Sequence, residues 1–298
     1  MKKDYRDKVS LLINTIPHIA KESCFALKGG TAINLFYLDM PRLSVDIDLT
    51  YIKFDDRSTA YMNINKALER ISKSLIHNGY SSVIQGNSEE KKIIVSDKNS
   101  SIKIEPNYTI RGCIYSPEVK TVCKKAENQF GYAEIQIVSP AELYGGKMCA
   151  ALDRQHPRDM FDLQNILSVA DKETDLIKGF LAMMLGHNKP VHELLNPKAK
   201  DQTEILNKEF TGMTDTDFSC KDHTRIFNEL VEFVKIQIIP YKEFLLSFVS
   251  LEPDFSSIDI PNLERMPSVL WKLHNLEKLK KTNISKFNEQ YEKIIELI

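Results

Sequence analysis

Apolar positions recur with two different periods along this 298-residue chain. Up to about residue 168, helical repeats over 4–20 and 58–78 alternate with short runs of strand periodicity. The predicted strands are 80–85, 91–96, 101–106 and 133–138. This alternation predicts an α/β (α+β) domain over 1–168, in which helices flank a small mixed sheet, followed by a mostly helical C-terminal domain over 169–298.

The second half of the chain has almost no strand periodicity. Its predicted helices are 172–186, 200–209, 222–238, 240–250 and 283–298. The segment 251–268 contains Pro253, Pro261 and Pro267 and is expected to form a loop-rich strap on the surface, packed around Trp271.

Two carboxylates, Asp46 and Asp48, alternate with the apolar residues Val45, Ile47 and Leu49. On a strand, residues two apart point to the same face, so this alternation places both carboxylates side by side. Two anions held that close repel each other unless a cation lies between them. Oxygen ligands of this kind favour Mg²⁺ or Mn²⁺ over zinc, so Asp46 and Asp48 are the candidate metal ligands.

A glycine pair, Gly29-Gly30, precedes a short helical pattern over 32–38. A glycine turn that leads into a helix exposes backbone N–H groups, which bind the phosphates of a nucleotide. Thr31 is expected to cap this helix and to offer its hydroxyl to a phosphate. The glycine turn followed by the two aspartates resembles the signature of the polymerase-beta-type nucleotidyltransferase superfamily.

That superfamily usually has a third acidic residue on a neighbouring strand. In the run 101–105, Ile102 and Ile104 point one way while Lys103 and Glu105 point the other. Glu105 is therefore the candidate third ligand or general base, and Lys103 a neutralising charge for a nearby phosphate. Pro106 is expected to end this strand.

A charged pair of helices is predicted over 139–167. The first begins at Pro140 behind the capping residue Ser139, with Glu142 completing a capping box. Lys147 and Arg154 lie two turns apart and project from the same side of this helix.

The first of these helices breaks at Gln155-His156-Pro157, and a second begins near Arg158. Asp159 and Asp162 lie one turn apart among apolar residues, so some of these charges approach the core. Because buried charges are costly, we expect them to be paired.

Three stretches taken together, GGTA…SVDIDL, IKIEPNYTIR and SPAELYGGKMCAALDRQHPRDMFDL, closely resemble the AbiEii/MenT family of nucleotidyltransferase-like toxins. The match runs from about residue 25 to 168 and departs at Pro106, where the family usually has an aliphatic residue. The resemblance implies a nucleotidyltransferase fold with catalytic and nucleotide-binding residues at positions 29–31, 44–48, 105 and 147–162. It makes Asp46 and Asp48 Mg²⁺ ligands and Lys147 and Arg154 triphosphate-binding residues. Asp159 and Asp162 would support the site, and Arg158 would hold either these carboxylates or the phosphates.

The resemblance also implies a function. These proteins are the toxins of type IV toxin–antitoxin and abortive-infection systems, so the expected reaction is transfer of a nucleotide from a nucleoside triphosphate to RNA. The expected acceptor is the 3′ end of a tRNA, which would block translation, with a protein hydroxyl as the next possibility. The expected partner is an antitoxin, for which a DNA-binding protein is one candidate. Alternatives are a catalytically idle nucleotide- or RNA-binding module, an antibiotic-modifying nucleotidyltransferase and, more weakly, a kinase.

Ser44 lies two residues before Asp46 and is expected on the same face, close to the metal. A phosphate on Ser44 would add about two negative charges beside the ligands and should suppress activity.

Composition changes this prediction little. A hydrophobic fraction of 42% with 27% charged residues is normal for a globular protein, and a net charge of −1 excludes a uniformly basic nucleic-acid binder. The five cysteines form no Cys-x-x-Cys pair, and the N-terminus MKKDYRDK lacks the apolar core of a signal peptide. We expect a cytoplasmic protein without membrane association. Local basic patches are possible at Lys120, Lys124 and Lys125 and at Lys272, Lys278, Lys280 and Lys281.

Overall fold

The computed structural model describes residues 2–167 and 175–298, and the chain divides into two compact units. Unit 1 comprises the residues up to Ser139 together with Phe210–Asp217, and unit 2 comprises Pro140–Glu209 and Phe218–Ile298. The domain boundary predicted between 168 and 169 lies outside the described residues, as does the beginning of the helix predicted over 172–186. In this division the predicted helix pair over 139–167 belongs to unit 2 rather than to unit 1.

Unit 1 is built on a mixed sheet, as predicted. Its described strands are β1 (Phe25–Lys28), β2 (Asp46–Tyr51), β3 (Ser81–Gly86), β4 (Lys91–Ser96), β5 (Ser101–Asn107), β6 (Glu118–Thr121) and β7 (Glu134–Ile137). They are arranged in the order β3-β4-β5-β2-β1-β7-β6. β2 pairs antiparallel with β1 and parallel with β5, so the strand that carries the two aspartates lies inside the sheet. The sequence pattern did not predict β1 or β6.

The helices of unit 1 are α1 (Lys3–Ile19), α2 (Gly29–Ala32), α3 (Arg57–His77) and α4 (Lys124–Phe130). α2 continues as a π-helical turn over Ile33–Tyr37, so the predicted helix over 32–38 begins three residues earlier, at the glycine pair. Asp56 caps α3 by accepting a hydrogen bond from the Thr59 N–H at 3.0 Å. The inward faces of α1 and α3 are apolar and fully buried, as their periodicity predicts.

Unit 2 is helical throughout its described part, and none of the described helices of the chain is long and apolar enough to cross a membrane. The helices are α5 (Pro140–Arg154), α6 (Pro157–Leu167), α7 (Leu176–Leu185), α8 (Val191–Leu195), α9 (Thr203–Ile205), α10 (Cys220–Gln237), α11 (Lys242–Val249), α12 (Pro267–Thr282) and α13 (Ile284–Leu297). α9 continues as a π-helical turn over Leu206–Phe210.

Helix α12 is the main difference from the predicted elements of unit 2. The expected strap over 251–268 contains two 3₁₀ turns, Phe255–Ser257 and Leu263–Arg265, but it does not cover Trp271. Trp271 lies on α12 with 52% of its surface exposed, so the predicted packing around this residue is wrong. Pro267, taken as part of the strap, is instead the first residue of α12, where its missing N–H costs nothing.

Two glycines bring α5 and α7 into close contact. A methyl group on Gly145 would lie 2.3 Å from the backbone carbonyl carbon of Gly179, and one on Gly179 would overlap the backbone of Ala141. Any side chain at either position would therefore push the helices apart. This close approach fixes α5, the helix that carries Lys147 and Arg154, within unit 2.

Lys272 is a buried lysine on the inner face of α12. Its ammonium group donates hydrogen bonds to the backbone carbonyls of His187, at 2.7 Å, and Lys189. Burial lowers the pKa of Lys272 from 10.5 to about 8. The unfolded chain keeps this proton to higher pH than the folded chain, so the free energy of unfolding should rise between pH 8 and 10.5, by up to about 3 kcal/mol.

Lys272→Met should abolish this rise, which urea unfolding across the pH window measures. Lys278→Met, on the exposed side of the same helix, should retain it. Parallel pH profiles for Lys272→Met and wild type would contradict the assignment.

Candidate active site

The two aspartates lie side by side on β2. Ile47 and Leu49 are fully buried, whereas Asp46 and Asp48 are half-buried on the opposite face. The alternation predicted from the sequence is confirmed, because it follows from the pleat of a strand with one buried face.

The sheet register brings Glu105 to the same place. Asp48 is directly opposite Glu105 in the β2–β5 pairing, and Asp46 is opposite Lys103. Opposed residues on paired strands share a face, so the predicted third carboxylate lies on the face of the first two. β5 continues through Pro106 to Asn107, so Pro106 does not end the strand as expected and does not disturb this register.

Glu105 is held by a lysine of the next strand. Its carboxylate lies 3.1 Å from the ammonium group of Lys92, and both side chains are more than one third exposed. Among the described residues, no group of three or more acidic, histidine or cysteine side chains is arranged to hold a metal ion. The donor set that fits a hard cation is thus Asp46 and Asp48, because Mg²⁺ is commonly bound by one or two carboxylates plus substrate phosphates and water.

The glycine turn lies directly against Asp48. Gly29 has a φ of +73°, and a methyl group on it would lie 2.3 Å from Asp48 Oδ2. A methyl group on Gly30 would lie 2.6 Å from a guanidinium nitrogen of Arg42 and 3.1 Å from Ser44 Oγ. The positive φ and the contact with Asp48 therefore require glycine at position 29, whereas a methyl group on Gly30 would displace the end of the Arg42 side chain.

Thr31 does not have the helix-capping role predicted from the sequence. It lies inside α2, whose N-cap is Lys28, so it does not cap the helix. Its hydroxyl is fully buried and donates to the backbone carbonyl of Asp46 at 2.5 Å, which leaves its proton unavailable to a phosphate. Thr31 instead fixes the start of β2 against α2.

Ser44 is also more enclosed than expected. It precedes β2, is 7% exposed, and its Oγ lies 3.1 Å from the Thr31 hydroxyl. A kinase would have to open this turn to reach it, and its proposed phosphorylation stays a prediction.

Two basic residues of this site did not stand out in the sequence. Lys28 lies directly opposite Asp48 in the β1–β2 pairing. Arg42 is 2% exposed and donates to the carbonyl of Leu43 at 3.0 Å, with its guanidinium against Gly30. In the sequence, only their positions could have indicated these two residues. Lys28 immediately precedes the glycine pair, and Arg42 falls in the same alternation as Ser44, Asp46 and Asp48. A lysine next to a glycine turn and an arginine before a strand are too common to single out alone.

A second cluster of charges lies inside unit 2. Lys147 Nζ is 2.8 Å from Asp159 Oδ1 and 3.0 Å from Asp162 Oδ2. Arg154 Nε is 2.6 Å from Asp159 Oδ2. Lys147 is 7% exposed and the two aspartates at most 1%, whereas the Arg154 side chain is 60% exposed. The predicted pairing of buried charges is confirmed, and these ion pairs tie α5 to α6.

The cluster keeps the Asp159 carboxylate ionised. Burial alone would raise the pKa of Asp159, but the charges of Lys147 and Arg154, with the hydrogen bonds they donate, outweigh it and hold this pKa well below its ordinary value. Arg158 is half-buried and its backbone N–H donates to His156 Nδ1 at 3.1 Å.

Removing the Lys147 ammonium should strongly destabilise unit 2. Lys147→Met leaves Asp162 buried without this partner, and breaking a buried pair in this way costs about 3–5 kcal/mol. Urea unfolding gives the difference from wild type. Lys293→Met, which breaks the exposed pair with Glu289, is the matched control and should change stability little. Equal losses of stability in both variants would show that burial does not increase the contribution of the Lys147 ion pairs to the free energy of unfolding.

Comparison with known proteins places these features in one family. The sequence profile of the nucleotidyl transferase AbiEii toxins of type IV toxin–antitoxin systems matches residues 10–274. The chain belongs to the AbiEii family. The match includes most of unit 2, well beyond the stretch from 25 to 168 in which the motifs lie. Nucleotidyl transfer is therefore the class of reaction of this AbiEii protein, with a nucleotide substrate and an antitoxin partner implied by its family.

Comparison with solved structures supports the fold of this chain. The AbiEii-family chain is similar to MenT4, a nucleotidyltransferase toxin from Mycobacterium tuberculosis, with a TM-score of 0.50 and 13% identity over 77% of this chain and 93% of MenT4. A cytoplasmic RNA terminal U-transferase aligns over 98% of this chain and 93% of its own, at 12% identity and a TM-score of 0.30, too low to support an argument. Comparison with curated protein sequences gives no significant match.

Proposed function

We propose that this protein transfers a nucleotide from a nucleoside triphosphate to an RNA, at the 3′ end of a tRNA, in a Mg²⁺-dependent reaction that blocks translation. The observation that carries the proposal is the contact of Asp48 with the Gly29 turn beside Asp46, in a chain of the AbiEii family. A carboxylate pair beside a helix N-terminus combines cation binding with phosphate binding.

Asp46 and Asp48 would hold the Mg²⁺. When bound, the ion offsets the negative charge of the triphosphate and of the leaving pyrophosphate. Lys28 and Lys103 lie opposite Asp48 and Asp46 in the sheet, so they add positive charge on the same face. Backbone N–H groups at the start of α2 would orient the phosphates over this face.

Glu105 is the proposed general base. It lies opposite Asp48 and its carboxylate is accessible beside Lys92. The hydroxyl oxygen of the acceptor attacks the α-phosphorus, the bond to the β-phosphate oxygen breaks, and pyrophosphate leaves. The hydroxyl proton passes to the Glu105 carboxylate.

For the cluster of unit 2, the family resemblance predicts a supporting role. Arg154 is accessible while Asp159 anchors it, which suits a side chain that binds an anionic ligand. Lys147 is the other predicted triphosphate-binding residue, and Arg158, Asp159 and Asp162 are predicted to support the site.

The test is incubation of the purified protein with total tRNA, Mg²⁺ and each nucleoside triphosphate in turn, labelled at the α-phosphate. Label should enter RNA with the wild type and not with Asp46→Asn, and a chelator should abolish it. Periodate oxidation of the tRNA, which destroys the 3′-terminal hydroxyls, should also abolish it. In a parallel reaction with nucleotide labelled at the γ-phosphate, transfer of that label would instead indicate a kinase. Nucleotide binding without any labelled RNA would favour a different acceptor or an idle binding module.

A further inference from the structure

Helix α12 presents an exposed aromatic pair on its outer face. Trp271 is 52% exposed and is the only tryptophan in the sequence. Its indole ring stacks on the imidazole of His274, with centroids 5.4 Å apart and planes 24° from parallel. The opposite side of α12 is buried through Lys272 and Leu276, so the stack points to solvent.

The same face is basic. Lys278 lies two turns beyond Trp271 and is exposed, and Lys281 follows one turn later. Glu277 is the one acidic residue in the sequence of this helix, and its carboxylate is paired with Lys281 at 2.7 Å. Lys272 is not part of this face, because it lies on the opposite, buried side of α12. We call Trp271, His274 and Lys278 the α12 face.

The other predicted basic patch is less suited to a ligand. Lys124 pairs with Glu127 at 2.7 Å, and Lys125 donates to the carbonyl of Met40 at 3.3 Å. The ammonium group of Lys120 lies over the Tyr37 ring, 4.5 Å from its centroid. These contacts engage all three lysines within unit 1.

We propose that the α12 face binds single-stranded RNA, with a nucleobase stacked on the Trp271–His274 pair and the adjoining phosphates at Lys278. Stacking platforms flanked by lysines bind single strands with little sequence preference, because every base has a π-face. Leu270 is an exposed apolar neighbour of Trp271, but the next residues along this face, His274 and Lys278, are polar and basic, which favours RNA over an apolar protein partner. The inference rests on the proposed function, from which it takes RNA as the ligand.

The single tryptophan makes the proposal directly measurable. Titration of the full-length protein with a short single-stranded oligoribonucleotide should quench Trp271 emission to saturation, whereas the corresponding duplex should not. With a fluorescently labelled strand, Trp271→Ala should weaken binding about tenfold and Trp271→Phe less, since one stacked base contributes that much. Lys278→Ala should reduce the salt dependence of log K by about 0.7, the value for one phosphate contact of a single strand.

Leu270→Ala is the matched control, because Leu270 is 49% exposed beside Trp271 but cannot stack on a base. It should leave RNA binding unchanged. Absence of quenching, or an equal loss in Leu270→Ala and Trp271→Ala, would overturn the proposal and indicate an apolar docking surface for a protein.

The two proposals fail separately. RNA that binds the α12 face of wild type and of Asp46→Asn alike, without labelled product from wild type, would refute the transferase and not the RNA site. Transfer by Trp271→Ala with unchanged RNA affinity would refute the RNA site and not the transferase.

Discussion

Asp46→Asn and Asp48→Asn should each lower the rate of nucleotidyl transfer by at least about 10³-fold. Each change removes one of the two carboxylates that fit a divalent cation, and the charge stabilisation that such an ion supplies is worth several kcal/mol. Asparagine keeps the size of the side chain, and both positions are half-buried on a strand whose other face forms the core. The measurement is the initial rate of incorporation of α-labelled nucleotide into RNA.

Glu118→Gln is the matched control for these variants. Glu118 is an exposed carboxylate on β6 of the same sheet, so its removal changes charge equally without touching the site. This variant should retain the wild-type rate, and all three variants should keep the wild-type circular dichroism. An aspartate variant that stays within about tenfold of wild type would exclude its carboxylate from metal binding.

Gly29→Ala should lower the rate at least about 100-fold, because the added methyl group would lie 2.3 Å from Asp48 Oδ2. That carboxylate must therefore shift, and displacement of a reacting group by about 1 Å can cost about 10²-fold. The φ of +73° adds a backbone cost of about 1–2 kcal/mol for a residue other than glycine. The transfer rate and the unfolding midpoint are measured on the same preparation.

Gly79→Ala separates these two effects. Gly79 ends the turn after α3 with a φ of +86°, and a methyl group there would meet no atom within 4 Å. This variant should therefore show the backbone cost in its unfolding midpoint while keeping the wild-type rate. Equal losses of rate in both variants would mean that the contact between Gly29 and Asp48 has no special part in the reaction.

The local periodicities of the sequence were sufficient for much of unit 1. Helices α1 and α3 and strands β4 and β5 begin and end within one or two residues of their predicted bounds. The short strands β1 and β6 were not predicted, because β1 is apolar at three consecutive positions and β6 is exposed along most of its length, so neither shows a clear alternation of apolar and polar residues. Helix α12 was not predicted, since Pro253 and Pro261, together with its own first residue Pro267, suggested a continuous loop.

The sequence also determined which face of β2 carries Asp46 and Asp48, because a period of two residues is a property of any single strand. Only the tertiary structure decided what meets that face. The register of β2 with β1 and β5 places Lys28 and Glu105 opposite Asp48, and the turn at Gly29 closes onto the same carboxylate. Thr31 was misassigned for the same reason: its partner, the carbonyl of Asp46, is fifteen positions away. Periodicity is fixed by neighbours along the chain, whereas register, close approach and burial depend on residues that only folding brings together.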